Sequence, residues 1–230
     1  RLRLAQLGRT PETLDGILLT HEHSDHIQGL KAICKKLDIP INCNRLTADE
    51  LRFRLKIDLN ICQFVTGETF EIGNMIIENF AVPHDAQDPV GFHIKTPDGG
   101  IGILTDLGQT TRLVLERVRG VKALLIEANY DLKRLQEDTR RPWSIKQRIM
   151  SRHGHLSNRD TAEAIENLAN EKLENIVLCH LSSDCNTPEL ARQSITDKLV
   201  KLGIENTKIT LSNQDEPTET LFIDNFFLEG

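Results

Sequence analysis

The sequence predicts an α/β fold in stacked layers, on three observations. Apolar runs of four to seven residues recur along the chain as strands. Stretches of helical period lie between them, and the strands come first as hairpins and later alternate with helices, as a four-layered sandwich would have it. At 230 residues the chain can bury one sizeable core, so a single domain over 1–230 is the simplest organisation. No repeat, low-complexity tract or Pro/Gly/Ser-rich linker interrupts it.

The elements follow in order. Arg1 to Leu7 reads as the tail of a helix ending at Gly8, and the first strand is Ile17 to Thr20. After helical periods at His26 to Leu37 and Ala48 to Leu55 come strands Ile61 to Val65, Thr69 to Ile72 and Met75 to Val82, with Gly73 and Asn74 marking a hairpin turn. Val90 to Lys95 and Ile101 to Thr105 form the next hairpin, across Asp98, Gly99 and Gly100; His93 alternates along this strand and reads as a surface histidine. Alternation with helices begins there: helix Thr110 to Val118, strand Val121 to Ile126, helix Asn158 to Leu168, strand Ile176 to Cys179, helix Pro188 to Leu202 and strand Lys208 to Leu211.

Hydrophobic content of 39% and charged content of 27% are those of an ordinary globular chain, and nothing in them points to disorder. The net charge of −6 carries no global nucleic-acid signature, so a polyanion would have to meet a local patch. Five cysteines without a C-x-x-C pair fit reduced thiols in a cytosolic protein. Cys179 and Cys185 lie close to His180, but the strand turns Cys179 to the opposite face, and it reads as a small buried apolar residue. No stretch approaches the roughly 20 apolar residues of a membrane span, and the start is not a signal peptide. A soluble, cytoplasmic protein without membrane partners is expected.

The chemistry concentrates at His21, Glu22, His23, Ser24, Asp25 and His26, an H-x-H-x-D-H run directly after the first strand. Three imidazoles and a carboxylate are ligands suited to Zn²⁺, Mn²⁺ or Fe. In an extended loop His21 and His23 point the same way and can grip one ion, while Asp25 and His26, after the turn, can face a second. A polar turn in which Ser24 or Asp25 caps the following helix would need one of these residues, not four, although Asp25 can also cap.

This run resembles the signature of the metallo-β-lactamase superfamily, whose αββα four-layered sandwich holds metals at strand ends. Further ligand types stand in the order that superfamily requires: His84, Asp106 and His180, each terminating an apolar run. The resemblance implies two divalent ions, one held by His21, His23 and His84 and one by Asp25, His26 and His180, with Asp106 bridging. The superfamily usually reaches its histidine run after a first strand pair, whereas 20 residues precede His21 here. The first N-terminal strands are therefore expected to be missing, either from this sequence or from one sheet.

The interval between Asp106 and His180 carries the branch. Glu127, Ala128, Asn129 and Tyr130 end a strand, Arg140 to Trp143 reads R-R-P-W, and Ser151 to Asn158 reads S-R-H-G-H-L-S-N. These segments resemble nucleic-acid-processing branches, including the ribonuclease Z type, and look closest to the bacterial YycJ (WalJ, VicX) group, over about Leu14 to Glu189. That likeness implies 5′-to-3′ exonuclease action on DNA in preference to RNA. Charge points the same way: Leu132 to His153 holds seven basic residues against two acidic ones. Arg140, Arg141, Arg148, Arg152 and His153 are the expected backbone contacts, with Ser182 and Ser183 as hydrogen-bond donors to phosphate, and Trp143 as a candidate to stack on a base.

Beyond the metal ligands, His155 is the candidate general acid for the leaving 3′ oxygen, since imidazole titrates near neutrality, and Glu127 could orient it. Asp25, His155 and Glu127 are thus the catalytic candidates. The expected reaction is in-line hydrolysis of a phosphodiester by a hydroxide activated between two ions about 3.5 to 4 Å apart. Alternatives are a ribonuclease Z-like RNA endonuclease, a small thioester, lactone or β-lactam hydrolase, and a metal-bound regulatory or binding module that has lost catalysis. Metal identity and oligomeric state are not legible.

Overall fold

The computed structural model describes residues 2–97, 99–169 and 172–223. Among them the strands form two sheets. The smaller is parallel throughout, in the order β1 (Ile17–Leu18), β2 (Ile41–Asn44), β3 (Ile61–Phe64). The larger has seven strands in the order β10 (Lys208–Leu211), β9 (Asn175–Cys179), β8 (Ala123–Glu127), β7 (Gly99–Leu104), β6 (Val90–Thr96), β5 (Met75–Ala81), β4 (Thr69–Ile72). β4 to β7 pair antiparallel as hairpins, and β7 to β10 pair parallel.

Apolar side chains fill three interfaces and so define four layers. Ile27, Leu30, Ala48 and Leu51 of α2 (Ser24–Ile27), α3 (Leu30–Cys34) and α4 (Arg45–Leu55) cover Leu19, Ile41 and Cys43 of the small sheet. Phe64 from that sheet meets Ile77, Val90 and Phe92 from the large one. On the far side Val114 of α5 (Arg112–Arg117), Ile165 of α8 (Asn158–Leu168) and Ile195 of α9 (Pro188–Lys201) pack on Leu104, Leu124, Ile126 and Leu178. The order is helix, sheet, sheet, helix. Among the described residues no strand precedes β1 in the small sheet.

The topology positions the site. β5 is antiparallel to β6, and β6 to β7, so β5, β7, β8 and β9 all run the same way and end at one edge. β1 delivers its own C-terminal end to this edge, where Val90 N donates to Thr20 O at 3.1 Å and ties the two sheets together.

Several elements depart from the sequence reading. The helix expected over His26 to Leu37 is two short helices, α2 and α3, divided at Gln28 and Gly29. Neither Ser24 nor Asp25 is the N-cap of α2: His23 holds that position, without a side-chain bond, and Asp25 Oδ2 lies 3.4 Å from His180 Nε2. β2 was unforeseen. Its Asn42 and Asn44 break the apolar run, yet both are used: Asn42 bonds Ile17 O, and Asn44 caps α4 through Thr47 N. Two further helices, α6 (Leu132–Glu137) and α7 (Trp143–Ile149), occupy the basic segment, anchored by Tyr130, Leu135 and Cys185 with Ile149 and Met150. α1 (Leu2–Gln6) ends as expected before Gly8, whose φ of 67° is the left-handed value that glycine tolerates. Asp98 lies outside the described residues. His93 is not a surface residue: its side chain is 11% exposed and its Nδ1 lies 2.8 Å from Arg117 O. Among the described residues no helix is long and apolar enough to cross a membrane.

Candidate metal centre

Each strand that ends at the shared edge delivers at least one polar side chain. His21 and His23 follow β1, His84 follows β5, Asp106 follows β7, Glu127 is the last residue of β8, and His180 comes directly after β9. Asp106 and His180 have left-handed backbones, with φ of 58° and 54°. That conformation costs a non-glycine residue about 1–2 kcal/mol, and such strain is typically kept where a site needs it. Here it turns the chain sharply at the strand end, so that both side chains face inward. Asn129 holds the second turn by donating to His180 O at 2.9 Å.

The seven residues singled out as ligands converge. His21, His23 and His84 form one set, and Asp25, His26, Asp106 and His180 another, with the ligand atoms of each set within 4.8 Å of one another. Asp106 reaches both: its Oδ1 is 3.8 Å from His84 Nε2 and 3.4 Å from His180 Nε2, and its Oδ2 is 3.1 Å from His26 Nε2. His21 Nε2 and Asp106 Oδ2 are buried without a well-directed hydrogen bond. Leaving such groups unsatisfied costs about 1–3 kcal/mol apiece, more where charge is involved, and a divalent cation removes that cost. The donor set of imidazoles and carboxylates therefore fits a divalent ion.

The electrostatics match. Burial pushes the His21 imidazole down to about 3, helped by His26, so it is neutral and able to ligate. Burial opposes ionisation of Asp106, but His26, His180 and His21 outweigh it and hold the carboxyl well below its usual range. The hydrogen bond to His180 does the same for Asp25. Burial would lower His180, yet Asp25, Glu127 and Asp106 push it up to about 10. A cation binding there must displace that proton.

Glu127 is fully buried and is the hub behind the candidate ligands. Its Oε1 accepts from Leu107 N at 2.9 Å and Leu156 N at 3.0 Å; its Oε2 lies 3.0 Å from His155 Nδ1 and 3.3 Å from His180 Nδ1. Burial raises its pKa, and the bonds from His155 and His180 more than offset this, so it is ionised. His155 sits between His84 and His180, with ring centroids 5.1 and 5.3 Å away, and lines the open cleft of about 740 Å³ beside the site.

The remaining substrate candidates divide. Ser182, Ser183 and Arg141 line the same cleft. Arg140 and Arg141 each bridge Asp138 and Asp184, which clamps the segment before α7 to the loop after His180. Arg148 pairs with Asp85, next to His84. Arg152 and His153 are exposed beside them, and Trp143 is 57% exposed at the start of α7. Lys146, counted with the basic run, is buried and donates to Gln136 O at 2.7 Å. Cys179 is half-buried alongside Leu125 and Val177.

Sequence reading assigned no role to Thr20, Glu22, Asn129 and Gly154, nor to Ser212, Asn213 and Gln214, which line the cleft. Glu22, buried between His21 and His23, accepts from Gln87 N at 3.0 Å and fastens the His84 loop. Gly154 O lies 3.0 Å from His84 Nδ1. A Cβ on Gly154 would stand 2.1 Å from Ile149 O and 2.3 Å from Arg148 O, backbone atoms that cannot give way singly. Gly154→Ala is accordingly expected to destabilise the protein by about 1–3 kcal/mol, the usual cost of overpacking, and to weaken metal uptake by displacing the support of His84. Thermal denaturation and a metal titration of the variant check both effects.

Residues 1–180 match the family described as the β-lactamase superfamily domain. The chain is 35% identical over 193 residues to the exodeoxyribonuclease YycJ of Bacillus anthracis, covering 83% of this chain and 72% of that protein. It is 36% identical over 205 residues to the exodeoxyribonuclease WalJ of Streptococcus pneumoniae, covering 87% and 76%. The metallo-β-lactamase fold protein YhfI of Bacillus subtilis superposes with a TM-score of 0.68 at 14% identity, over 88% of this chain and 77% of that one. A fold in four layers, an intact set of histidines and aspartates at its strand ends and these relatives together establish that the chain belongs to the metallo-β-lactamase superfamily of hydrolases, in its YycJ/WalJ group.

Proposed function

We propose that the protein is a two-metal phosphodiesterase that degrades DNA from the 5′ end, in a cytoplasmic setting that keeps its cysteines reduced. The observation that carries the proposal is the pair of ligand sets joined through Asp106, set beside a histidine held on a buried carboxylate. The choice of DNA and of polarity rests on the names of the relatives and on the basic segment next to the site. His21, His23 and His84 would hold one ion and Asp25, His26 and His180 the other, with Asp106 shared. Bound there, the ions would supply Lewis acidity to a phosphate oxygen and water of lowered pKa at neutral pH.

The protein's own groups do the rest. Glu127 accepts at His155 Nδ1 and thereby orients the ring, leaving Nε2 to pass a proton to the departing 3′ oxygen. Ser182 and Ser183 can donate hydrogen bonds to the phosphate in the cleft. Arg152 offers charge and His153 a hydrogen-bonding ring to the strand beyond it, and Trp143 a surface on which a base can stack.

Incubation of 5′-labelled and 3′-labelled single- and double-stranded DNA and RNA with Zn²⁺, Mn²⁺ or Fe²⁺ tests the proposal. Stepwise release from the 5′ end of DNA is expected. Cleavage of RNA alone, or turnover of thioesters and lactones in place of either nucleic acid, would replace it with one of the alternative readings. The backbone track has a separate test. Arg152 is exposed and lacks a described ion pair, so Arg152→Ala should weaken oligonucleotide binding irrespective of sequence and reduce the salt slope by about one. A small nitrophenyl phosphodiester, which spans only the centre, should be hydrolysed at an unchanged rate. An equal loss on that substrate would assign Arg152 to the centre or to the fold.

A further inference from the structure

One hydroxyl lies between the two ligand sets. Thr20 Oγ1 is 3.1 Å from His21 Nδ1 and 3.2 Å from His26 Nδ1, and the two rings are 4.1 Å apart. His21 belongs to the set with His23 and His84, and His26 to the set with Asp25, Asp106 and His180. The opposite ring nitrogens face into the centre: His21 Nε2 is buried and unpartnered, and His26 Nε2 lies 3.1 Å from Asp106 Oδ2. The Thr20 carbonyl oxygen is itself pinned by Val90 N across the junction of the sheets, which fixes where the hydroxyl sits.

A neutral imidazole carries one proton, on one nitrogen or the other. For Nε2 to offer its lone pair to a cation, the proton must be on Nδ1, and that N–H needs an acceptor. A hydroxyl oxygen has two lone pairs, so Thr20 can accept from both Nδ1–H groups at once. When its O–H instead donates to one Nδ1, that ring must carry its proton on Nε2 and is withdrawn from ligation. The orientation of one side chain therefore bears on a histidine of each set.

We infer that Thr20 is a positioning residue that couples the two ion sites, its hydroxyl holding His21 and His26 together in the Nε2-ligating form. The inference rests on the two-ion reading proposed above. Thr20→Val keeps the shape and removes the oxygen, whereas Thr20→Ser keeps the oxygen and removes the methyl.

Metal-free wild type, Thr20→Val and Thr20→Ser are titrated with Zn²⁺ against a chromophoric chelator, and melting temperatures of the metal-free forms are measured alongside. Wild type should take up two equivalents. Thr20→Val should lose about 10- to 100-fold in affinity for both, the usual effect of removing a ligand's hydrogen-bond partner, with little change in melting temperature. Thr20→Ser should return to within about threefold of wild type for both equivalents. Loss at one equivalent only, no loss at either, or a serine variant as weak as valine overturns the coupling. Uptake of a single equivalent by wild type overturns the two-ion reading instead, an outcome distinct from the others. Should the valine variant not fold, Thr20→Ala gives the same readout.

Discussion

Replacing Asp106 by Asn is expected to lower hydrolysis of both DNA and a small nitrophenyl phosphodiester by about 10³-fold or more, while the fold survives. The size follows from its position. Among the described residues Asp106 is the side chain whose two oxygens address both ligand sets, 3.8 Å from His84 Nε2, 3.4 Å from His180 Nε2 and 3.1 Å from His26 Nε2. On the two-ion reading, neutralising it would remove an anion shared by both ions, so each should bind less tightly and their separation should no longer be fixed. The loss should therefore appear on every substrate. Asn is a better probe than Ala because the residue has a φ of 58°. Asn tolerates the left-handed region, whereas Ala adds about 1–2 kcal/mol of backbone strain and would mix a folding defect with the chemical one. Activity, metal content and melting temperature of the Asn variant decide the matter. Near-wild-type turnover with metal content verified would move the chemistry elsewhere in the molecule.

Why the candidate ligands could be picked out in the sequence and their supports could not has a physical basis. Each ligand type ends an apolar run, and an apolar run that stops at a histidine or aspartate is visible in one dimension. His84, Asp106 and His180 need only their own strands to be recognised. Their partners need the third dimension. Arg141 finds Asp184 43 positions away, Arg148 finds Asp85 63 away, and His84 finds the Gly154 carbonyl 70 away. A count of charges along residues 132–153 cannot anticipate such pairs. It registers a positive patch where the folded chain has largely matched Arg140, Arg141 and Arg148 with carboxylates.

The same limit governs the fold. Long runs such as Met75 to Ala81 declare themselves by alternation, and the turns at Gly8 and Gly73 by the need for positive φ. β2 does not, because two of its four residues are asparagines whose amides bond Ile17 O, Thr47 N and Asp88 O. A polar residue that is satisfied by distant backbone looks, in sequence, like a loop. α2 and α3 fail in the opposite direction. Their periodicity is continuous, but the helix is broken at Gln28 and Gly29, where glycine weakens a helix interior, and the pattern of apolar residues does not register that break.

The second large effect is expected at His155, and it should depend on the leaving group. Its Nδ1 is 3.0 Å from Glu127 Oε2, and that carboxylate is buried and further bound by Leu107 N and Leu156 N, so the ring cannot rotate freely. Nε2 is then the free nitrogen, and the ring lines the cleft between His84 and His180. A DNA 3′ oxygen is a poor leaving group and needs a proton as the bond to phosphorus breaks. Loss of the acid in His155→Ala should therefore cost about 10²- to 10⁴-fold on DNA. A nitrophenolate leaves without a proton, and the nitrophenyl diester should lose far less. Glu127→Gln should produce a milder version of the same split, because an amide can hold the ring but no longer supports the charge it gains, while weaker support of His180 adds some loss on both substrates. Equal losses in His155→Ala on the two substrates would make the residue a support for metal or phosphate. Unchanged rates on both would leave it a packing residue at the entrance to α8.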